Sequence, residues 1–221
     1  MMGQSKVADD VVKMLTEMGF ENIGCVEDDK ERIYVLQNTA FRANGVGIAT
    51  AVDVIQKNGL PTYNPCRIVV LDNNVPQLSL YYQPIIGDSV PEAKREDWKV
   101  SYELGSSWNK VRKEIELENS SLFKVDILVY PEFSFRNSRL SVPYQIRLNM
   151  NPAIQVSLWK GAKATAQLVV PVVNQYGYKY DSVRPGYITL SQTLRLPYNV
   201  FVTGTAGFFN NNRAGVDLSA E

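Results

Sequence analysis

The chain has 221 residues, of which 45% are apolar, and its 23 basic and 23 acidic residues cancel. This length allows one large domain or two small ones, and the apolar content is sufficient for a sizeable core. The charge balance argues against nucleic-acid binding, which requires a surplus of basic residues on one face, and no window approaches 18 consecutive apolar residues, which excludes a transmembrane helix.

Residue types needed for common catalytic and metal sites are scarce. The sequence contains no histidine and two cysteines, Cys25 and Cys66. This removes the commonest general base, the Ser-His-Asp and Cys-His arrangements, and nearly all zinc sites, including the all-cysteine type. We therefore expect a protein without enzymatic activity and assign no catalytic, cofactor-binding or metal-binding residues.

The two cysteines lie on predicted strands of the first domain. Their spacing does not decide between two buried free thiols and a disulfide. The first ten residues, MMGQSKVADD, lack the pattern of a secretory signal. A mature N-terminus or a shortened gene start would give the same observation.

Residues 6–84 predict a small α+β module. Ser5 is the predicted N-cap of the first helix, Gly19 its stop, residues 28–30 a turn, and Asn73-Asn74 the turn of a hairpin. The predicted elements are a helix from Lys6 to Met18, strands at 23–27 and 32–37, a helix at about 46–57, and strands at 67–71 and 75–82. The order is α-β-β-α-β-β, with both helices on one face of an antiparallel or mixed sheet.

Gly45 and Gly47 stand at the start of the second predicted helix, where free N–H groups can bind an anion. A third glycine and a P-loop lysine are both missing, and the preceding strand closes a hairpin instead of opening a βαβ unit. We expect these glycines to serve close helix packing and not nucleotide binding.

Residues 85–121 predict a linker. Its first part contains prolines, a glycine and a run of charges, which are typical of a domain boundary. A short strand is predicted at 98–104, followed by a polar helical turn that begins at Ser106 or Ser107 and extends to Leu117.

Residues 122–221 predict an antiparallel β-meander. Between Tyr144 and Leu158 the even positions are apolar and the odd positions mostly polar, and the same alternation is found at 123–135, 162–172 and 188–196. Successive side chains of a strand point to opposite faces, so each strand has one apolar and one polar surface. We expect five or six long strands with no helix between them, which excludes a parallel crossover sheet.

Such strands suit either a large soluble sheet or the wall of a transmembrane barrel. Aromatic residues near the predicted strand ends fit the interfacial girdles of a barrel and equally the edges of a soluble sheet. They are Tyr130, Tyr144, Trp159, Tyr187, Tyr198, Phe208 and Phe209. The alanines at 162, 164 and 166 are poor filling for a sandwich core and favour the barrel.

Several ordered segments of the chain resemble the YjbH/GfcD-like outer-membrane β-barrel family of exopolysaccharide and capsule secretion. In the second domain they are VDILVYPEF (125–133), NPAIQVSLWKG (151–161), AQLVVPVVN (166–174), VRPGYITLSQTLRLP (183–197) and GFFNNNRAGVDL (207–218). In the first domain GFENIGC, IYVLQNTAFRANGVGIATAV and RIVVLDNNVPQLSL are similar to the α+β module that the family places beside its barrel wall.

The resemblance implies a non-enzymatic component of polysaccharide export, located in the outer membrane with its α+β module in the periplasm. Family members are longer, and a single-chain barrel needs about eight strands. We therefore expect a fragment or an abbreviated form, in which an incomplete barrel is partnered by outer-membrane lipid, polysaccharide, and other export proteins or further strands. The polar face would then line the lumen, with possible glycan contacts at Arg147, Asn149, Asn151, Gln155, Lys163, Gln167 and Arg195.

Two other functions stay open at this point. A soluble β-sandwich that binds carbohydrate or a partner protein would show the same alternation. A glycan-cleaving enzyme would need paired carboxylates. Asp126 and Glu132 share a strand face, but six residues of strand separate them by about 20 Å, which is too far for such a pair.

Overall fold

The computed structural model describes residues 6–27, 30–84, 97–137, 144–177, 181–209 and 213–221. It divides into two compact units, Met1–Ser121 and Leu122–Glu221. The predicted N-cap Ser5, most of the 28–30 turn and residues 85–96 of the predicted linker lie outside the described residues.

The first unit contains the α-β-β-α-β-β order predicted for residues 6–84, and a further strand and helix follow it. Its elements are α1 (Lys6–Glu17), β1 (Glu21–Glu27), β2 (Arg32–Gln37), α2 (Asn44–Asn58), β3 (Cys66–Asp72), β4 (Val75–Tyr82), β5 (Lys99–Ser101) and α3 (Trp108–Glu114). No helix within the described ranges combines the length and apolar character needed to cross a membrane.

The five strands of this unit form one mixed sheet in the order β1-β2-β3-β4-β5. β2 and β3 are parallel and the other neighbours are antiparallel. Parallel neighbours need a long crossover connection, and here α2 supplies it. The sequence left the choice between an antiparallel and a mixed sheet open, and the sheet is mixed.

Helices cover both faces of the sheet. On one face the stripes of α1 and α2, including Val11, Leu15 and Ile55, bury against Tyr34 and Ile68. On the other face Val111 of α3 joins a second cluster of buried strand residues that contains Ile33, Val35 and Val69.

The later part of the predicted linker, residues 97–121, therefore packs within the first unit. β5 extends the sheet by pairing with β4, and α3 covers the second face. The sequence showed the short strand and the helical turn but not their packing, because both are short and most of their residues are polar.

The second unit is a six-stranded antiparallel sheet in which the strands follow one another in chain order. The strands are β6 (Val125–Asn137), β7 (Tyr144–Trp159), β8 (Ala162–Asn174), β9 (Arg184–Arg195), β10 (Phe201–Phe209) and β11 (Arg213–Ala220). The predicted antiparallel meander is present, with six strands. Over the residues that the structure describes the sheet is open, with β6 and β11 at its edges.

The turn between β7 and β8 depends on a glycine. Gly161 has φ +77°, and a Cβ at this position would collide with the carbonyl oxygen of Thr193. Its own carbonyl accepts a 2.7 Å hydrogen bond from the Thr193 N–H. A residue without a side chain is therefore needed where β9 approaches the turn.

Candidate functional site

The register of the second sheet sorts its side chains into an apolar face and a polar face. One row of paired residues across all six strands is Ile127, Ile154, Ala166, Ile188, Phe208 and Ala214. The next row is Asp126, Gln155, Thr165, Thr189, Gly207 and Gly215. The alternation within each strand is thus preserved across these two rows, because the strands pair there with matching parity. Register shifts interrupt the pairing elsewhere, between β7 and β8 and between β8 and β9.

The apolar face is exposed. Fifteen of the large side chains on it are between 38 and 80% exposed. They are Val125, Ile127, Val129, Phe133, Phe135, Ile146, Met150, Ile154, Leu168, Ile188, Leu190, Leu194, Phe208, Val216 and Leu218. Soluble monomers rarely expose contiguous apolar patches of more than a few hundred Å². A contiguous exposed apolar face of this kind is typical of an interaction surface.

The polar face contains a cluster of hydrogen-bonded side chains centred on Glu132 in β6. Its carboxylate accepts hydrogen bonds from Arg147 Nη2 at 2.7 Å, Asn149 Nδ2 at 3.1 Å and Asn151 Nδ2 at 3.1 Å. The three donors are alternate residues of β7, so they point to the same face. Glu132 lies directly opposite Asn149, which places one donor beside it and one on each side.

This environment keeps Glu132 ionised. Burial by itself raises the pKa of the carboxyl group, but the hydrogen bonds from Asn151 and Asn149 and the charge of Arg147 outweigh burial. The net result is a pKa below the usual glutamate value. Glu132 is thus an anion whose charge is matched within the protein.

A cavity of about 490 Å³ lies next to this cluster on the polar face. It is lined by Tyr130, Glu132, Asn151, Ala153, Gln155, Thr165, Gln167 and Tyr187. Two phenol rings, amides and a hydroxyl surround it, and Glu132 contributes the single carboxylate of this lining. Phenol rings combined with hydrogen-bonding amides suit a ligand that has both apolar faces and many hydroxyls.

Several buried acceptors at this site have no partner among the described residues. They are the side-chain oxygens of Asn149, Asn151 and Gln167, whose residues are 0, 7 and 8% exposed. A Cβ at Gly186 would lie 2.6 Å from Gln167 Oε1, so the absence of a side chain there leaves room for the Gln167 amide. Buried carbonyl oxygens are costly to leave unbonded, and these three favour a ligand that donates hydrogen bonds.

Next to Arg147 the polar face carries a second cation. The guanidinium groups of Arg136 and Arg147 lie 4.3 and 5.2 Å from the centre of the Tyr176 ring. Arg136 Nε donates to Gln145 Oε1 at 2.9 Å, and Arg136 Nη2 lies 3.5 Å from the Tyr176 carbonyl oxygen. Both hydrogen-bond acceptors of Arg136 are neutral, whereas Arg147 pairs with Glu132.

The structure brings five of the seven predicted contact residues together. Asn151, Gln155 and Gln167 line the cavity, and Arg147 and Asn149 bind the carboxylate of Glu132 beside it.

The other two predicted contacts lie on the same face but outside the cavity. Lys163 is opposite Ser157 near the β7–β8 turn. Arg195 ends β9, where its Nη2 donates to Asn199 Oδ1 at 2.6 Å and its guanidinium lies 5.4 Å from the Phe201 ring.

Five residues of the cavity lining are not among the predicted contacts, namely Tyr130, Glu132, Ala153, Thr165 and Tyr187. The sequence places Tyr130 and Tyr187 near strand ends, yet Tyr130 is in the middle of β6 and both line the cavity. The sequence offers Glu132 only as half of an enzymatic pair and does not predict its position at the centre of a hydrogen-bonded cluster. The alternation of the sequence could have identified Tyr130 and Glu132, since both are on the polar side of β6. It could not have identified their partners, because these depend on the register between strands.

Other sequence candidates are located in the first unit. Cys25 and Cys66 are both buried, and no disulfide joins them. α2 begins at Asn44, and a Cβ at Gly47 would collide with the Asn38 side chain, as expected for close packing. A Cβ at Gly45 would meet no atom within 4 Å, so the packing explanation applies to Gly47 only.

Comparison of the chain with protein-family models, with curated proteins and with solved structures found no match.

Proposed function

We propose that this protein is a non-enzymatic component of exopolysaccharide or capsule export, with its second sheet in the outer membrane and its first unit in the periplasm. The observation that carries the proposal is the exposed apolar face, which extends over all six strands while every charged residue of β6–β11 lies on the opposite face. The resemblance of the sequence segments to the YjbH/GfcD-like family supplies the process.

Lipid acyl chains are the occupant that fits the apolar face. Strands β6 to β9 have 13, 16, 13 and 12 residues, which exceeds the ~9–11 residues that a tilted strand needs to span a bilayer. Aromatic side chains at positions such as Tyr144 and Trp159, the two ends of β7, suit the membrane interfaces.

The polar face would then line a hydrated passage for glycans. Its amides, hydroxyls and guanidinium groups can exchange water for sugar hydroxyls at little net cost. The edges of β6 and β11 would pair with further strands, because unpaired backbone groups cost several kcal/mol each in lipid. Those strands, or other export proteins, are the partners that the proposal requires.

Charge placement on the two faces tests the membrane orientation. Ile154 is 49% exposed on the apolar face, and its neighbour Gln155 lines the polar cavity. Ile154→Arg should reduce insertion into bilayers, since an arginine facing lipid costs about 2–4 kcal/mol near the midplane. Gln155→Arg introduces the same charge one residue away and should insert normally.

The readout is the fraction of protein that resists extraction by alkaline buffer from outer-membrane vesicles. Equal insertion of the two variants would contradict the proposed orientation. Recovery of the unaltered protein in buffer without detergent would instead favour the soluble β-sandwich.

A further inference from the structure

The strands of the second sheet carry more basic than acidic residues. The cations on its strands are Arg136, Arg147, Lys163, Arg184, Arg195 and Arg213, and the carboxylates are Asp126, Glu132 and Asp217. All of these residues lie on the polar face, which therefore has more cations than carboxylates. Because the whole chain has no net charge, this basic surplus is offset elsewhere in the chain. A surface that carries a surplus of one sign attracts ligands of the other sign.

Arg136 is the cation best placed to bind an anion. It is exposed, its guanidinium stacks on the Tyr176 ring, and no carboxylate forms an ion pair with it among the described residues. Its Nε is directed to Gln145, which fixes the planar group and leaves other N–H donors available. A stacked guanidinium is well suited to a carboxylate, because it can donate two parallel hydrogen bonds.

The nearest carboxylate does not cancel this site. Glu132 is four residues from Arg136 along β6, about 13 Å at strand rise, and its charge is matched by Arg147. That separation exceeds the screening length of about 8 Å at physiological ionic strength. An anionic group at Arg136 would therefore meet little repulsion from Glu132.

We propose that the glycan taken up by the polar face is an acidic polysaccharide. A carboxylate of the polymer binds Arg136 beside Tyr176, while hydroxyls of a neighbouring sugar donate to the unpartnered oxygens of Asn151 and Gln167, with Tyr130 and Tyr187 beside the ring. The inference rests on the proposed function and adds the chemical class of its substrate. Arg136 is about 13 Å along β6 from Glu132, which lines the cavity, so one chain of linked sugars can reach both.

The test uses the full chain in detergent micelles and two acidic probes, oligogalacturonate and hyaluronan oligosaccharides, each compared with its own methyl ester. The ester keeps the backbone and the hydroxyls and removes the carboxylate charge. We expect the acids to bind about tenfold more tightly than the esters at low salt, and the difference to shrink as salt is added. Binding is measured by isothermal titration calorimetry.

Variants locate the effect. Arg136→Gln should remove most of the difference between acid and ester, and Arg136→Lys should retain part of it, since the charge remains without the planar pair of donors. Arg112→Gln on α3 makes the same charge change in the first unit and should leave both affinities unaltered. Circular dichroism of each variant verifies that the strands are intact.

The outcomes separate the two proposals. Equal affinity for acid and ester, or a preference that survives Arg136→Gln in a folded variant, would overturn the acidic-substrate inference while leaving a glycan site in place. Absence of binding by all four probes would overturn the glycan site itself and this inference with it, although the membrane orientation would still be tested separately by the Ile154 and Gln155 variants.

Discussion

Arg147 Nη2 donates a hydrogen bond of 2.7 Å to Glu132 Oε1 and joins β7 to β6 on the polar face of the second sheet. The two residues are not directly opposite, since Glu132 faces Asn149 and Arg147 faces Ser134. The ion pair is therefore diagonal, and together with the two asparagine amides it surrounds the carboxylate. A one-residue slip of β6 against β7 would move Glu132 to the other face and break all three bonds.

Loss of the Glu132 charge should weaken the pairing of β6 with β7. Glu132→Gln removes charge-assisted hydrogen bonds and should raise the hydrogen-exchange rate of β6 and β7 amides, equivalent to about 1–3 kcal/mol of local opening free energy at neutral pH. Asp126→Asn, on the same face of β6, is the control and should have little effect. Equal exchange in the two variants would contradict the structural role of Glu132.

The same carboxylate predicts a pH dependence with a definite sign. Its folded pKa is lowered, so its contribution is complete above the unfolded value of about 4.3 and is lost as pH falls through the folded pKa. The exchange difference between the unaltered protein and Glu132→Gln should thus be constant from neutral pH to about pH 5 and shrink below pH 4. A difference that grows on acidification would refute this assignment.

Alanine substitutions at two glycines should separate the cost of backbone strain from the cost of a steric collision. Gly161 and Gly177 both have positive φ, +77° and +110°, but only at Gly161 would a Cβ collide with backbone, at the Thr193 carbonyl. Gly177→Ala should cost about 1 kcal/mol from backbone strain alone. Gly161→Ala should cost clearly more, because β9 must move away. Urea unfolding followed by Trp159 fluorescence, with Trp98 and Trp108 replaced by Phe in both variants, compares the two costs. Similar costs would mean that the contact is easily relieved.

The end of the first unit depends on a buried asparagine. Asn22 is 0% exposed, has φ 51°, and donates to Gln37 Oε1 at 3.0 Å and to Ser121 Oγ at 2.8 Å. Asn22→Gly keeps a residue that tolerates positive φ and removes the amide, whereas Asn22→Ala also introduces backbone strain.

We expect Asn22→Gly to destabilise the first unit by about 1–3 kcal/mol and Asn22→Ala to destabilise it further. Thermal unfolding measures both. Exposed Asn58, at the end of α2, provides the control, since Asn58→Gly should cost far less. A stability of Asn22→Gly equal to that of the unaltered protein would show that the amide network is dispensable.

The two cysteines should be unreactive in the folded protein. Burial raises the pKa of the Cys25 thiol to about 12 and that of Cys66 well above its usual value. At pH 8 a pKa of about 12 leaves about one Cys25 in ten thousand as thiolate. Iodoacetamide followed by mass spectrometry should modify neither cysteine without denaturant and both with it. Tyr63→Cys, at a position 70% exposed, should react promptly in the same sample.

Much of each element could be derived from local sequence. The apolar stripes of α1 and α2 and the alternation from Val125 onward are consequences of helix and strand geometry, which places side chains at fixed angles along the chain. For the same reason the polar positions of β7, including Asn149 and Asn151, were assigned correctly to one face. Local sequence does not predict the strand β11, since its alternation is short and interrupted by Gly215.

The sequence by itself determined that residues 122–221 form long strands with one apolar and one polar side, because successive side chains of an extended backbone point to opposite faces. Only the tertiary structure decided the register, which depends on pairing between distant segments. Register places Glu132 among Arg147, Asn149 and Asn151, moves Tyr130 and Tyr187 from presumed strand ends to one cavity, and leaves Lys163 and Arg195 outside it. It also decided that α3 covers the first sheet, because the surface on which α3 packs is formed by strands that are distant in the sequence.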